Sequence, residues 1–221
     1  MLPTSEHLDL EQNGAWLTVW FNSPDQRNPL TSDRVAALIA LCAALQDSPI
    51  RGVTFRGRGG VFCAGGDLKA FKSVLQGRAT EQEVIALSLQ GADLFDAIAG
   101  VPQFTVMAVE GAAMAGGVGL ACAGDMVIAT AGCKFSLSET RIGLTPAQIA
   151  PFVVARLGLP TARRLMLTGA VLSVQQAVAA GLVDQTAADL DATLTAVQAE
   201  VMAAAPGALA AIKHQLAALS F

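Results

Sequence analysis

Short β-rich runs broken by glycine turns, and longer stretches with apolar residues at helical spacing, follow one another along this chain. Residues 7–11 and 16–21 are strand-like and flank Asn13-Gly14, a pair that favours the tight turn of a hairpin. Thr31 or Ser32 can cap a helix that runs to about Gln46, with Val35, Leu38, Ile39, Cys42 and Leu45 on one face. A strand at 52–56 leads into a glycine-rich turn, and a polar segment at 72–83 separates that turn from a helix near 84–99. A second strand, 104–109, leads into a second glycine-rich turn with its own helix, and 126–129 is a further strand. Beyond Ser138-Glu139-Thr140, Pro146 suits the first turn of a helix ending at Leu157. The spacing then predicts helices over 161–167, 173–180, 189–204 and 206–219.

No internal repeat, low-complexity tract or linker interrupts the pattern, so one domain is expected. Strand–turn–helix units recurring in order point to an α/β fold with parallel strands and helical crossovers. At 221 residues the chain is long enough for one sizeable core, and its 53% hydrophobic content with only 5% aromatics and no tyrosine favours close packing of small aliphatic side chains. The uncharged run 165–183 reaches membrane-spanning length, but Gly169, Ser173, Gln175, Gln176 and Gly181 interrupt it, and it reads as a helix-turn-helix rather than a membrane span. A net charge of −4 and an isoelectric point near 5.1 argue against nucleic acid as a partner, which needs a basic face. Cys42, Cys63, Cys122 and Cys133 lack CxxC spacing, and with only His7 and His214 available no metal site is expected. Those cysteines read as small buried residues in a reducing compartment, and residues 1–9 carry no signal pattern, so a cytoplasmic location is expected.

The candidate chemistry lies at the two glycine turns. Phe62-Cys63-Ala64-Gly65-Gly66-Asp67-Leu68-Lys69 follows the strand at 52–56, and Glu110-Gly111-Ala112-Ala113-Met114-Ala115-Gly116-Gly117-Val118-Gly119-Leu120 follows the strand at 104–109. Glycine at such a junction lets backbone N–H groups face a ligand with no Cβ in the way. Two N–H groups converging from separate turns can hold an oxygen that becomes negative during reaction, an oxyanion hole. On spacing alone, tight turns with no further role are an equal reading. Glu139, in Ser138-Glu139-Thr140-Arg141-Ile142-Gly143-Leu144-Thr145-Pro146, is either a surface carboxylate paired with Arg141 or an acid/base group.

Taken in order with Trp16-Leu17-Thr18-Val19-Trp20-Phe21-Asn22-Ser23-Pro24, Arg27-Asn28-Pro29-Leu30, Thr168-Gly169 and Ala180-Gly181-Leu182-Val183, these segments resemble the crotonase (enoyl-CoA hydratase/isomerase) superfamily. The resemblance implies a crotonase spiral of repeated β-β-α units over 1–188 and a C-terminal helical region over 189–221 that serves trimerisation. It implies an acyl-CoA thioester as substrate, with coenzyme A part of that substrate and no separate cofactor. By match to the family segments, the backbone N–H groups of Gly66 and Gly116 are the oxyanion donors and Glu139 is the acid/base residue. Arg27, Ala64, Gly66, Asp67, Leu68, Lys69 and Gly116 then border the CoA ester, with Arg27 and Lys69 near the nucleotide phosphates and Asp67 capping a short helix. A trimer, paired into a hexamer, is the implied assembly. It agrees with the apolar residues on more than one face of the C-terminal helices (Leu190, Leu194, Val197, Val201, Met202, Leu209, Ile212, Leu216 and Leu219), more than one domain core absorbs.

The chain departs from the family pattern in two places. Typical hydratases carry a second glutamate three residues after the oxyanion glycine, and Gly119 stands there. Hydration by Glu139 alone is therefore the expected reaction, with isomerisation, decarboxylation and a catalytically weak acyl-CoA-binding subunit as alternatives. Gly-Gly-Val-Gly-Leu combined with Ser-Glu-x-Arg resembles a subgroup acting on branched glutaconyl-type CoA esters, the methylglutaconyl- and isohexenylglutaconyl-CoA hydratases. Arg141 is then a carboxylate partner for the substrate or a structural ion-pairing residue. The second departure is the ending at Phe221, where family members continue with further helices. A serine peptidase on a related fold is set aside, because no histidine follows a serine in an order that suits a triad.

Overall fold

The pattern resolves into two β-sheets and eight α-helices among the residues described by the computed structural model, 2–67 and 76–219. β1 (Leu8–Asn13) and β2 (Trp16–Phe21) form the predicted hairpin about Gly14, which takes the left-handed φ of 59°. Seven strands follow: β3 (Gly52–Gly57), β4 (Phe104–Val109), β5 (Ala112–Met114), β6 (Met126–Thr130), β7 (Lys134–Ser136), β8 (Val171–Ser173) and β9 (Gln185–Ala187). Six of the nine strands make one sheet in the order β1-β2-β3-β4-β6-β9, parallel from β2 onward, while β5, β7 and β8 make the second. The α/β class and the parallel strands agree with the sequence reading.

Both faces of the large sheet are covered, which is why its central strands read as unbroken apolar runs. In β4, Met107 and Val109 point into the main core, whereas Val106 and Ala108 point into a second one. The main core packs α1 (Ser32–Leu45) and α2 (Glu81–Ala99) on the sheet, with Leu38, Leu41, Leu94 and Ile98 fully buried. It extends to α3 (Gly116–Ala123), α4 (Ala150–Leu157), α5 (Leu159–Thr168) and α6 (Val174–Ala179). The second core sets Trp16, Val106, Ala108 and Ile128 against Leu190, Leu194, Val197 and Val201 of α7 (Leu190–Ala203), and α8 (Pro206–Ala217) follows.

Several expected boundaries move. The helix expected from Pro146 begins at Ala150 instead, and Pro151, not Pro146, occupies its first turn. The Pro146 carbonyl accepts from both Ile149 and Ala150 in a preceding turn, so the chain bends there before it winds into α4. α2 starts at Glu81 because Thr80 and Glu83 form a reciprocal capping box inside what reads as a polar segment. Within 165–183 a strand, β8, separates two helices, and among the described residues no single helix is long and apolar enough to cross a membrane.

Two buried polar residues fix the loop that leads to the site. The Arg34 side chain, 1% exposed, donates to the carbonyls of His7 and Pro29 and to Ser23 Oγ. Asn28 is fully buried with a left-handed φ of 52°, and its amide donates to the carbonyls of Arg58 (2.9 Å) and Val61 (2.7 Å) while accepting from Ser23 N–H (2.8 Å). With every polar atom paired, this side chain ties the loop before α1 to the start of the first glycine turn.

Candidate active site

The two glycine turns meet side by side. Cys63 bridges to Ala113 of β5: its N–H donates to Ala112 and its carbonyl accepts from Met114. The chain then turns at Gly65, whose φ is 98° and where a Cβ would come within 2.8 Å of the Met114 carbonyl and 2.9 Å of Ala115 Cβ. Only glycine fits there. Next, Leu30 N–H donates to Gly65 O (2.8 Å) and Asp67 N–H donates to Leu30 O (3.4 Å). That parallel register uses the residues on either side of Gly66, so Gly66's own N–H faces away from Leu30.

The second donor is built at the start of α3. Ala115 has the positive φ of 50° that side chains rarely adopt, a strain of about 1–3 kcal/mol. It is held there by its N–H to Ser136 O (2.7 Å) and by its carbonyl, which accepts from Val118 and Gly119. Gly116 is thereby the first residue of the helix, where N–H groups lack intrahelical partners and the dipole favours negative charge. A Cβ placed on Gly116 would lie 3.8 Å from Gly66 N, so the two segments converge on one point. Among the described residues neither N–H has an acceptor.

These groups open on a cavity of about 470 Å³. Leu30, Ser32 and Val35 close one side, Gln90, Gly91, Leu94 and Phe95 of α2 another, and residues 138–149 a third. Glu139 opens a short 3-10 turn, Glu139–Ile142, and lines this cavity with its Oε2 buried and, among the described residues, without a hydrogen-bond partner. Burial pushes its carboxyl pKa above the ordinary value, and a hydrogen bond from its own backbone N–H opposes that only in part. A carboxyl with a raised pKa in the same cavity as two N–H groups that make no hydrogen bond among the described residues can take up and release a proton where charge develops.

Arg141 also lines the cavity, and it does not pair with Glu139. Its stem lies over Gly169, where a Cβ would come within 3.0 Å of Nε, and among the described residues its guanidinium has no carboxylate partner. Gly119 faces not the cavity but its wall. A Cβ there would lie 2.3 Å from Ile149 Cγ2 and 3.0 Å from Phe95 Cε1, so no second carboxylate has room.

Of the residues expected at the CoA ester, Ala64, Gly66, Asp67 and Gly116 line the cavity. Arg27 is exposed outside it, with its carbonyl accepting from Ala64 N–H (2.9 Å). Leu68, Lys69 and the helix that Asp67 would cap lie outside the described residues. Phe95, Gln148 and Ile149 belong to the site yet carry no signal in the chain order, apart from Gly91, whose missing Cβ leaves room for the Gln148 amide. All four cysteines are free and buried, and no metal-binding group of His, Cys, Asp or Glu occurs among the described residues.

Known proteins are similar to this chain in sequence and fold. Residues 11–220 match the family model described as enoyl-CoA hydratase/isomerase. A putative enoyl-CoA hydratase from Thermus thermophilus is 35% identical over 94% of this chain and 83% of its own length. The human mitochondrial enoyl-CoA hydratase domain-containing protein 2 is 36% identical over 77% of this chain and 58% of its own. Among solved structures, Pseudomonas aeruginosa AtuE superposes with a TM-score of 0.91 at 40% identity, covering 96% of this chain and 83% of that one. An enoyl-CoA hydratase/isomerase from Marinobacter aquaeolei superposes with a TM-score of 0.91 at 36% identity, over 96% and 83%.

Proposed function

The chain belongs to the enoyl-CoA hydratase/isomerase family, and from that membership and the cavity's geometry we propose that it adds water across the 2,3-double bond of an enoyl-CoA thioester. The observation that carries this reading is the buried Glu139 Oε2 in the same cavity as the Gly66 and Gly116 N–H groups, none of which has a hydrogen-bond partner among the described residues. Gly66 N–H and Gly116 N–H donate to the thioester oxygen, and each such donor is worth about 3–4 kcal/mol as that oxygen gains charge. Ionised Glu139 accepts a proton from water as the water oxygen bonds to Cβ. The π electrons move toward Cα and the thioester, and the enolate then collapses as Glu139 returns the proton to Cα. One carboxyl group serves both steps because the proton it takes from water is the one it returns to Cα, and burial, which raises its pKa, makes holding that proton in between less costly.

Isomerisation is the second reading, favoured by the apolar wall at Gly119 and Ile149, since moving a double bond needs one base and no water. Incubation with 2-enoyl, 3-enoyl and glutaconyl-type CoA esters separates the readings by mass spectrometry. Gain of one water supports hydration. A new double-bond position without mass change supports isomerisation, and loss of carbon dioxide supports decarboxylation. No turnover of any ester leaves an acyl-CoA-binding protein.

The acyl group we assign is a branched, glutaconyl-type one with a second carboxylate. The cavity lining is largely apolar but carries the carboxylates of Asp67 and Glu139, and Arg141, an exposed residue on that lining, supplies a guanidinium that forms no ion pair among the described residues. The assembly we assign is a trimer or a hexamer of paired trimers, on the strength of exposed apolar side chains at the C-terminal helices.

A further inference from the structure

Ile149 sits between the backbone of α3 and the cavity. It is 2% exposed, lines the cavity, and fills the notch that the absent side chain of Gly119 leaves. Its backbone is fixed at the N-cap of α4: its N–H donates to Pro146 O (3.2 Å) and its carbonyl accepts from Val153 N–H (3.0 Å). Phe95, also 2% exposed and packed at a tilt against Phe152 with ring centroids 5.9 Å apart, stands beside the same notch. A β-branched side chain has a stiff χ1, and with α3 behind it this one has nowhere to retreat.

We propose that Ile149, seated in the Gly119 notch, is the specificity-determining residue that sets the size of acyl group this cavity accepts. The proposal rests on the reading of the cavity as an acyl-CoA site. It is independent of which reaction follows. An acyl chain lying along this wall meets a branched aliphatic surface at a fixed depth, and the depth is set jointly by Ile149 and by glycine at 119.

The two positions therefore act in opposite directions. Ile149→Ala deepens the cavity. Gly119→Ala drives its new Cβ against Ile149 and pushes that side chain toward the cavity. The test is the ratio of dissociation constants for saturated hexanoyl- and butanoyl-CoA, measured by calorimetry on the full chain, since saturated esters bind without turnover. A methylene in a hydrophobic pocket is worth roughly tenfold or more, so Ile149→Ala shifts the ratio toward the longer ester by about tenfold. Ile149→Val shifts it the same way by less, and serves if a larger change prevents folding. Gly119→Ala shifts it toward the shorter ester, and the double variant returns it toward that of the unsubstituted protein. Folded variants that lose thermal stability but keep the ratio within about twofold would reduce Ile149 to a packing residue and overturn the proposal. Failure of the unsubstituted protein to bind either ester would overturn the acyl-CoA reading itself, and this inference with it.

Discussion

Glu139 holds one carboxylate oxygen away from every donor among the described residues, and that placement costs stability while it suits proton transfer. Its pKa is raised by burial, so there is a pH window in which the folded protein keeps the proton and the unfolded chain has lost it. With respect to this group, stability is greatest below the ordinary carboxylate range and falls as pH rises from the unfolded pKa through the folded one. Glu139→Gln removes that slope. Its melting temperature should gain on the unsubstituted protein with rising pH, a difference that thermal scans across a pH series will read. Its turnover should fall by roughly two to four orders of magnitude on the true substrate, with CoA-ester affinity nearly unchanged. Near-normal hydration by this variant would sink the assigned role. At Arg141 the expectation concerns selectivity. Arg141→Leu should lower kcat/KM for a glutaconyl-type ester relative to its uncarboxylated analogue by roughly tenfold or more, since hydrogen bonds to charged groups contribute about 1.5–3 kcal/mol. Equal loss on both esters would mean that the guanidinium does not read the acyl carboxylate.

The elements that carry the site are short and are held from outside. The first turn is positioned by the Asn28 side chain, which is buried, left-handed and bonded to three backbone groups. Asn28→Ala leaves two carbonyls and one N–H without partners and puts alanine at a positive φ. It should cost about 2–4 kcal/mol in denaturant unfolding. Because Ala64 N–H bonds to Arg27 and Leu30 N–H to Gly65, the loosened loop should also lower kcat more than it raises KM. Elements with long periodic patterns were legible in the chain. α1 with its Thr31 cap, the hairpin, and β4 fall where the spacing puts them. β5, β7, β8 and β9 are three residues each, too short for any period to show, and their pairing is non-local. The displaced start of α4 has a related cause: Pro146 is compatible with a helix N-terminus, but the turn it closes onto Ile149 and Ala150 takes that place.

At the scale of the molecule, the second core accounts for part of the apolar surplus on the C-terminal helices. Leu190, Leu194, Val197 and Val201 are buried against the sheet, whereas Met202, Ile212, Leu216 and Leu219 remain 40%, 51%, 59% and 63% exposed. That many apolar side chains on neighbouring helices should draw subunits together. Sedimentation at micromolar concentration should show a trimer or hexamer, and Ile212→Glu with Leu216→Glu should shift it toward monomer. A stable monomer of the unsubstituted protein would sink the assembly proposed here.

Local chemistry is what the sequence by itself determined. Glycines at strand-to-helix junctions, a glutamate before a turn and an ordered set of segments led to the α/β class and the family, and to Gly66, Gly116 and Glu139 as the candidate site residues, because each depends on a residue and its close neighbours. Tertiary structure alone decided the rest. That Glu139 and Arg141 do not pair, that Gly66 N–H is turned outward by the Leu30 register, and that Ile149 closes the space beside Gly119 are relations between distant segments. They arise when separate elements compete for the same volume in a close-packed interior, and no spacing along one strand of sequence encodes that outcome.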